Sequence, residues 1–272
     1  MTDAQTETAY AKINLALHVR SRRSDGYHEL ETVFAFADQG DRISGKLADG
    51  VSLSMSGPMA GSLGTNDDNL VLQAAHRLKQ AAGIVAGASL HLEKHLPVAA
   101  GLGGGSADAA AALRLLARLW AIDPASPVIM SVARSLGADV PACLRSETCQ
   151  GFGRGDDLEP FTDPSLSGTP VLIANPGVPL PTGPVFAGWD GRDRGPLVPR
   201  DWRVGRNDLT ASAIAIVPEI ESLLRLLEGQ PGARHVRMSG SGASCFALFE
   251  SNAARDAAAD HIPFWHMAAT IR

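Results

Sequence analysis

Residues 97–107 read Pro97-Val98-Ala99-Ala100-Gly101-Leu102-Gly103-Gly104-Gly105-Ser106-Ala107, with four glycines in five consecutive positions. Glycine reaches positive φ without steric cost, so such a run can turn successive backbone N–H groups inward around an anion. Beyond it, Ala109, Ala112, Leu113, Leu116 and Trp120 recur on one face of a helix. The first turn of that helix adds unpaired N–H groups and the positive end of its dipole. Before the loop, residues 88–96 alternate, with Leu90, Leu92, Lys94 and Leu96 on one side and His91 and His95 on the other. Strand, glycine loop and helix in that order predict a phosphate cradle. Ser106 stands where it can cap the helix, and Asp108 falls in the first turn, where negative charge is favourable.

Other glycine motifs fit less well. A P-loop needs a lysine after its last glycine, and none follows here. A dinucleotide fingerprint would put Ser106 where Gly or Ala belongs, and the elements upstream read as hairpins rather than a βαβ unit. A nucleophile elbow would need glycine in place of Asp108. His91 and His95 share the i, i+4 spacing of a zinc helix, but they lie on a strand and lack the second-place glutamate, so they read as exposed strand histidines.

Upstream, residues 9–19 alternate, with Ala11, Ile13, Leu15, Leu17 and Val19 on one face and Tyr10, Lys12, Asn14, Ala16 and His18 on the other. For an isolated strand the second face reads as solvated. Asp25-Gly26 supplies a turn into a second strand through Phe36, and Asp49-Gly50 lies between strand-like runs at 43–47 and 51–55, so the opening reads as antiparallel hairpins. Val71, Ala74, Ala75, Leu78 and Ala82 mark a helix that Asp67 or Asp68 can cap and Gly83 can end. A helix over 126–136 stops at Gly137, ahead of Ala138-Asp139-Val140-Pro141, where Pro141 restricts its neighbour.

A Gly/Asp/Pro-rich texture over 151–164 marks a domain junction, which gives domains 1–155 and 156–272. Beyond it come a strand at 171–174, a Gly/Pro-rich excursion over 183–204 that reads as mobile surface, a helix capped by Asn207 and interrupted by Pro218, and a second helix from Glu219 to near Gly229. Strands at 235–238 and 245–249 flank the tight loop Ser239-Gly240-Ser241-Gly242-Ala243, and a helix near 253–261 and a last strand close the chain. This order is that of a helix-backed antiparallel sheet, an α+β layer.

The 272 residues are 45% hydrophobic and 19% charged with net charge −5, so no overall field draws the chain to nucleic acid. Arg20, Arg22 and Arg23 form the one dense basic cluster and read as a solvated hairpin end. The polar start Met1-Thr2-Asp3-Ala4 does not read as a secretory signal, and no apolar run is long enough to span a bilayer. Cys143, Cys149 and Cys245 lack CxxC spacing and are odd in number, which fits a reducing cytoplasm.

Residues 97–110 resemble the PxxxGLGxSSA phosphate loop of the galactokinase, homoserine, mevalonate and phosphomevalonate (GHMP) kinase family, with Ala107 where a second serine is common. Further landmarks stand in that family's order across nearly the whole chain: 11–15, Asp25-Gly26-Tyr27-His28, 137–141, Asn175-Pro176-Gly177, Pro181-Thr182 with Phe186, Arg206-Asn207-Asp208-Leu209, and 239–243. They are most similar to the branch that phosphorylates a cytidine-diphosphate-linked sugar alcohol. The resemblance implies a two-domain GHMP-kinase-like α+β fold, the N-terminal domain like domain 2 of ribosomal protein S5 and the C-terminal one ferredoxin-like, with the active site in the cleft between them. It implies ATP with Mg²⁺, and a small-molecule substrate carrying cytidine diphosphate. Residues 97–107 would hold the ATP phosphates, and Asn69, Leu70 and Lys94 would lie on the adenosine side. Asp139 would be the general base and Lys12 would stabilise charge on the attacking oxygen. Asn14 would line the site, Tyr27 and Phe186 would sandwich the cytosine, and His28 would bond its edge. Thr182, Gly240, Ser241 and Gly242 would approach the diphosphate and the sugar alcohol. A mevalonate- or homoserine-kinase-like enzyme, or a nucleotide-binding protein without chemistry, are the other readings.

Overall fold

The computed structural model describes residues 4–62 and 68–272. Met1-Thr2-Asp3 and the expected cap Asp67 lie outside the described residues. The chain forms two compact units. One comprises Met1–Ala11, Gly40–Val98 and Gly103–Ser146; the other comprises Lys12–Gln39, Ala99–Leu102 and Glu147–Arg272. Strands β1 (Gln5–Arg22) and β2 (His28–Ala48) each run through both. β2 continues where two shorter strands were expected, and Gly40 makes the continuation possible: a Cβ there would collide with the Ala9 carbonyl.

In the first unit the hairpin expected at Asp49-Gly50 does not form. β3 (Val51–Ser56) pairs in parallel with β4 (Gly87–Glu93), and β4 pairs antiparallel with Arg42–Ala48 of β2, so β4 occupies the place a hairpin partner would take. Parallel neighbours need a crossover, and α1 (Leu70–Ala81) provides it. Gly87 lets β4 enter, since a Cβ there would collide with the Gly50 backbone.

Helix α1 buries Val71, Ala74, Ala75 and Leu78, the face its spacing marks, and its cap is Asn69, whose Oδ1 accepts from Val71 N at 2.9 Å. It packs on α2 (Gly104–Leu119), whose buried alanines allow close approach. α3 (Pro127–Leu136) ends at Gly137 as expected, and Asp139 leads into a short α4 (Val140–Arg145) that the sequence reading missed.

The second unit contains the antiparallel sheet β10-β7-β9-β8, built from β7 (Pro170–Asn175), β8 (Ala233–Met238), β9 (Cys245–Phe249) and β10 (Trp265–Thr270). Leu172, Ala247 and Phe249 from the sheet share a core with Leu223 and Leu227 of α7 (Glu219–Glu228) and Ala213 of α6 (Thr210–Ile216). α8 (Asn252–Ala259) packs on β7 and β10. The 151–164 stretch carries a hairpin, β5 (Cys149–Gly153) with β6 (Asp157–Pro160), and β5 pairs with Leu30–Phe34 of β2.

The 183–204 excursion is anchored rather than loose. It begins within α5 (Thr182–Ala187), and Trp189, Leu197 and Trp202 are buried, with Trp202 Nε1 donating to Asp163 at 2.9 Å. The basic cluster is likewise engaged. Arg20 pairs with Glu31 and Asp193, Arg23 pairs with Asp25 and Glu29, and Arg22 donates to the carbonyls of Ala187 and Trp189.

Candidate active site

Lys12, Asn14 and His18, on the face of β1 expected to be solvated, are only 3%, 2% and 3% exposed. Burial of such groups requires partners. The Lys12 ammonium donates to Asn14 Oδ1 at 2.7 Å and stands 5.3 Å from the centre of the Phe34 ring. Asn14 Nδ2 donates to Thr32 Oγ1 at 2.8 Å, and that hydroxyl donates to the Ala16 carbonyl at 2.7 Å. The chain of bonds holds the Asn14 amide in one orientation and the ammonium beside it.

The same strand, with residues 239–244, anchors the first half of the glycine run. Lys12 N donates to Leu102 O at 3.0 Å and Ser244 N to Ala100 O at 3.1 Å. Ser239 Oγ accepts from Asn14 N at 3.2 Å and donates to Gly101 O at 2.9 Å. Gly101 has φ +75°; a Cβ there would collide with the Ser239 carbonyl and stand 2.8 Å from that of Gly242. Residues 239–244 therefore clasp residues 100–102, and only glycine fits where the two backbones meet. Asn207 braces the clasp from behind, its Nδ2 donating to the carbonyls of Met238 and Gly240 at 2.8 Å each. Thr182, at the start of α5, places its hydroxyl 3.1 Å from that of Ser241.

His28 packs against Phe186, with ring centroids 5.0 Å apart, and edge-on against Trp189 at 5.7 Å. Burial, and then the Arg22 guanidinium, hold its pKa below the ordinary histidine value, which favours a neutral ring. His28 Nε2 and Trp189 Nε1 are buried without partners, so two polar atoms stand ready for a ligand beside an aromatic face. Tyr27 is half exposed, with the Arg154 guanidinium 5.0 Å from its ring centre. Trp189 and Arg154 were missed in the sequence; a tryptophan inside the Gly/Pro-rich 183–204 segment was the available signal.

In the other unit the helix begins one residue after Gly103, which takes φ +64° as N-cap, and the first helical bond is Ala107 N to Gly103 O at 2.7 Å. Ser106 is thus the third residue of α2 and not its cap, because the capping position requires a left-handed backbone that glycine adopts freely. The N–H groups of Gly104, Gly105 and Ser106 have no acceptor within the helix by position. Leu70, at the start of α1, lies 3.5 Å from the space a Cβ on Gly105 would fill.

Lys94, expected on the adenosine side, and Asp108, expected in the first turn of the helix, are both buried, Asp108 as the fifth residue of α2. The Lys94 ammonium pairs with Asp41 and, at 2.6 Å, with Asp108. Burial raises the Asp108 pKa against the pull of Lys94, while the two carboxylates outweigh burial and hold the Lys94 pKa up. Asp139 precedes Val140 in helical conformation, φ −80° and ψ −17°. Among the described residues no three His, Cys, Asp or Glu side chains gather as a metal site. An ion carried by nucleotide phosphates needs no such cage.

Two family descriptions match the chain, GHMP kinases N terminal domain over residues 69–147 and GHMP kinases C terminal over 191–265. A protein of Rhizorhabdus wittichii named 4-diphosphocytidyl-2-C-methyl-D-erythritol kinase is 56% identical over 259 residues, 93% of this chain and 88% of that one. Its namesake from Novosphingobium aromaticivorans is 50% identical over 98% of this chain and 92% of that one. A crystal structure of 4-(cytidine 5'-diphospho)-2C-methyl-D-erythritol kinase superposes with TM-score 0.85 at 34% identity, covering 98% of this chain and 99% of that one. Homoserine kinase from Cytophaga hutchinsonii, at 18% identity and TM-score 0.70 over 100% of this chain and 96% of that one, shares the fold.

Proposed function

The chain belongs to the 4-diphosphocytidyl-2-C-methyl-D-erythritol kinases within the GHMP kinases, and from that premise we propose how its residues divide the work. The reaction moves the γ-phosphoryl group of ATP to the 2-hydroxyl of 4-diphosphocytidyl-2-C-methyl-D-erythritol, a step toward isoprenoid precursors. The observation that carries the reading is the glycine run itself, left-handed at Gly101 and Gly103 and opening directly into the unpaired N–H groups of α2.

Phosphoryl transfer asks a protein chiefly to position the reactants and neutralise charge. The amides of Gly104, Gly105 and Ser106, with the dipole of α2 behind them, hold the ATP phosphates, while residues 97–103 shape the cradle. Asn69 and Leu70 lie toward the adenosine. Asp139 accepts the proton of the attacking hydroxyl, and Lys12 stabilises charge on that oxygen, with Asn14 fixing the ammonium. The Ser106 hydroxyl is the candidate protein ligand for a Mg²⁺ brought by the nucleotide, which would neutralise phosphate charge.

The cytosine ring stacks at Phe186 and Tyr27, and the unpartnered His28 Nε2 meets its polar edge. Thr182, Gly240, Ser241 and Gly242 line the path of the diphosphate. The partner is a small molecule. The setting is the cytoplasm, in keeping with three buried, unbridged cysteines and, among the described residues, no helix long and apolar enough to cross a membrane.

The deciding assay couples ADP release to added acceptor. ATP- and Mg²⁺-dependent turnover of the cytidine-diphosphate-linked substrate is expected. Silence with that substrate and turnover of mevalonate or homoserine would move the chain elsewhere among the GHMP kinases. ATP binding with no transfer to any acceptor would make it a nucleotide-binding protein instead.

A further inference from the structure

The glycine loop enters from one buried charge and leaves toward another. Lys94 is the first residue after β4, and Asp108 is the fifth residue of α2, so the two stand at either end of the loop. Asp41 of β2 completes the cluster. Its Oδ1 accepts from His95 N at 2.5 Å and from Leu96 N at 2.8 Å, while its Oδ2 accepts from the Lys94 ammonium. One carboxylate thus fixes the three residues that lead into the loop, and the ammonium passes the hold to the helix that follows it.

The backbone of Lys94 is pinned as well. Its N–H donates to Ser56 O at 2.8 Å, its carbonyl accepts from Met59 N at 3.1 Å, and Gly57 passes so close that a Cβ there would stand 2.7 Å from Lys94 N. These contacts fix the backbone from which the Lys94 side chain reaches its carboxylates. It lies directly under the helix start, where a Cβ added to Gly104 would be 3.1 Å from Nζ.

Buried ion clusters give little net stability against an apolar replacement, but they fix geometry. Here Lys94 and Asp41 are 2% and 0% exposed as whole residues, Asp108 is 2% exposed, and one Asp108 oxygen has no partner. The charged groups facing Asp108 are Lys94 and Asp41. No step of the transfer described above uses the cluster.

We propose that Asp41, Lys94 and Asp108 are positioning residues: a buried clamp that holds the two ends of the glycine loop at a set separation and so keeps the amides of Gly104, Gly105 and Ser106 aimed at the nucleotide phosphates. The proposal rests on the reading that this loop binds ATP. Its effect is expected on the nucleotide, because the groups the cluster holds are the residues leading into the loop and the start of α2.

The test is steady-state kinetics of two variants, with binding of a non-hydrolysable ATP analogue measured by calorimetry. Lys94→Met keeps the stem and removes the charge that joins the two carboxylates; the KM for ATP should rise about tenfold or more, with kcat and the acceptor KM within about threefold of the parent. Asp108→Asn keeps the volume but removes the charge that receives the ammonium at the helix, so it should raise the KM for ATP in the same direction, with kcat and the acceptor KM within about threefold of the parent. An unchanged ATP KM in Lys94→Met, or an equal rise in both KM values, overturns the clamp. Should Lys94→Met fail to fold, Asp41→Asn, which turns one accepting oxygen into a donor among donors, carries the same expectation and the same refutation. A parent enzyme that does not bind the analogue refutes the ATP reading itself; a parent that binds it beside variants that bind equally well refutes the clamp alone.

Discussion

Asp139 and Lys12 carry opposite charges and opposite duties in the proposed transfer, and single substitutions separate them. Asp139→Asn keeps the shape and removes the base, so kcat should fall by about 10²–10⁴ while the KM for ATP stays near that of the parent. Near-normal turnover would remove Asp139 from the chemistry. Gly101→Ala tests the backbone: with φ +75° and the Ser239 carbonyl in the way, the variant should lose at least about 1–3 kcal/mol of stability, read as a lower urea midpoint. At this scale the sequence was informative wherever period settled the matter. The alternation over 9–19 put Lys12 and Asn14 on a common face, but it could not show that face covered, because Ser239 and Thr32 come from distant positions. Ser106 misled for a local reason: a serine ahead of an alanine run looks like a cap unless the left-handed turn at Gly103 is known.

Among the elements, β8 does more than border its sheet. The Arg237 guanidinium donates to the carbonyls of Leu15, Trp202, Arg203 and Gly205, joining β8 to β1 and to the anchored 202–205 segment. Burial lowers its pKa to about 10, still far above neutrality, so the charge persists. Arg237→Ala removes all of these bonds and should cost about 2–4 kcal/mol in denaturant unfolding.

His235, two residues earlier, is pressed edge-on against Trp202, and burial brings its pKa to about 4. The unfolded chain takes up that proton below about pH 6.5, and the folded one only near 4. Its contribution, roughly 3 kcal/mol, is therefore complete above pH 6.5 and lost as pH falls toward 4. His235→Gln should flatten that part of the stability–pH curve; an unchanged slope would place the titration elsewhere. Elements with a clear period (β1, α1, α2, α7) were legible in the chain. The parallel pairing of β3 was not, because Asp49-Gly50 carries the signature of a hairpin and only the insertion of β4 overrides it.

For the whole molecule, the α+β fold of the GHMP kinases was legible from landmarks in a fixed order, and the solved relative with TM-score 0.85 agrees. What the sequence concealed was packing. The Gly/Pro-rich 183–204 segment looks loose by composition, yet three of its large side chains are buried, and burial cannot be read from turn-forming residues. Nucleotide binding offers a test at this scale. A ligand present at a hundred times its dissociation constant should add about 2.7 kcal/mol to the folding free energy, seen as a higher melting temperature with an ATP analogue. No shift at saturating analogue would contradict a nucleotide site formed by the native state.

The passage of β1 and β2 through both compact units limits how the protein can be taken apart or recombined. No single cut yields two self-sufficient fragments, since a C-terminal piece would lack Lys12–Gln39 and Ala99–Leu102, which complete its unit. A gene fusion that exchanges only the C-terminal half with a relative would therefore replace part of a unit while keeping the rest. Exchanges confined to 163–272, downstream of the β5–β6 hairpin, would still have to match Lys12–Gln39 of the recipient. Co-expressed fragments, if they restore activity, must do so by exchanging strands during folding rather than by docking two finished pieces.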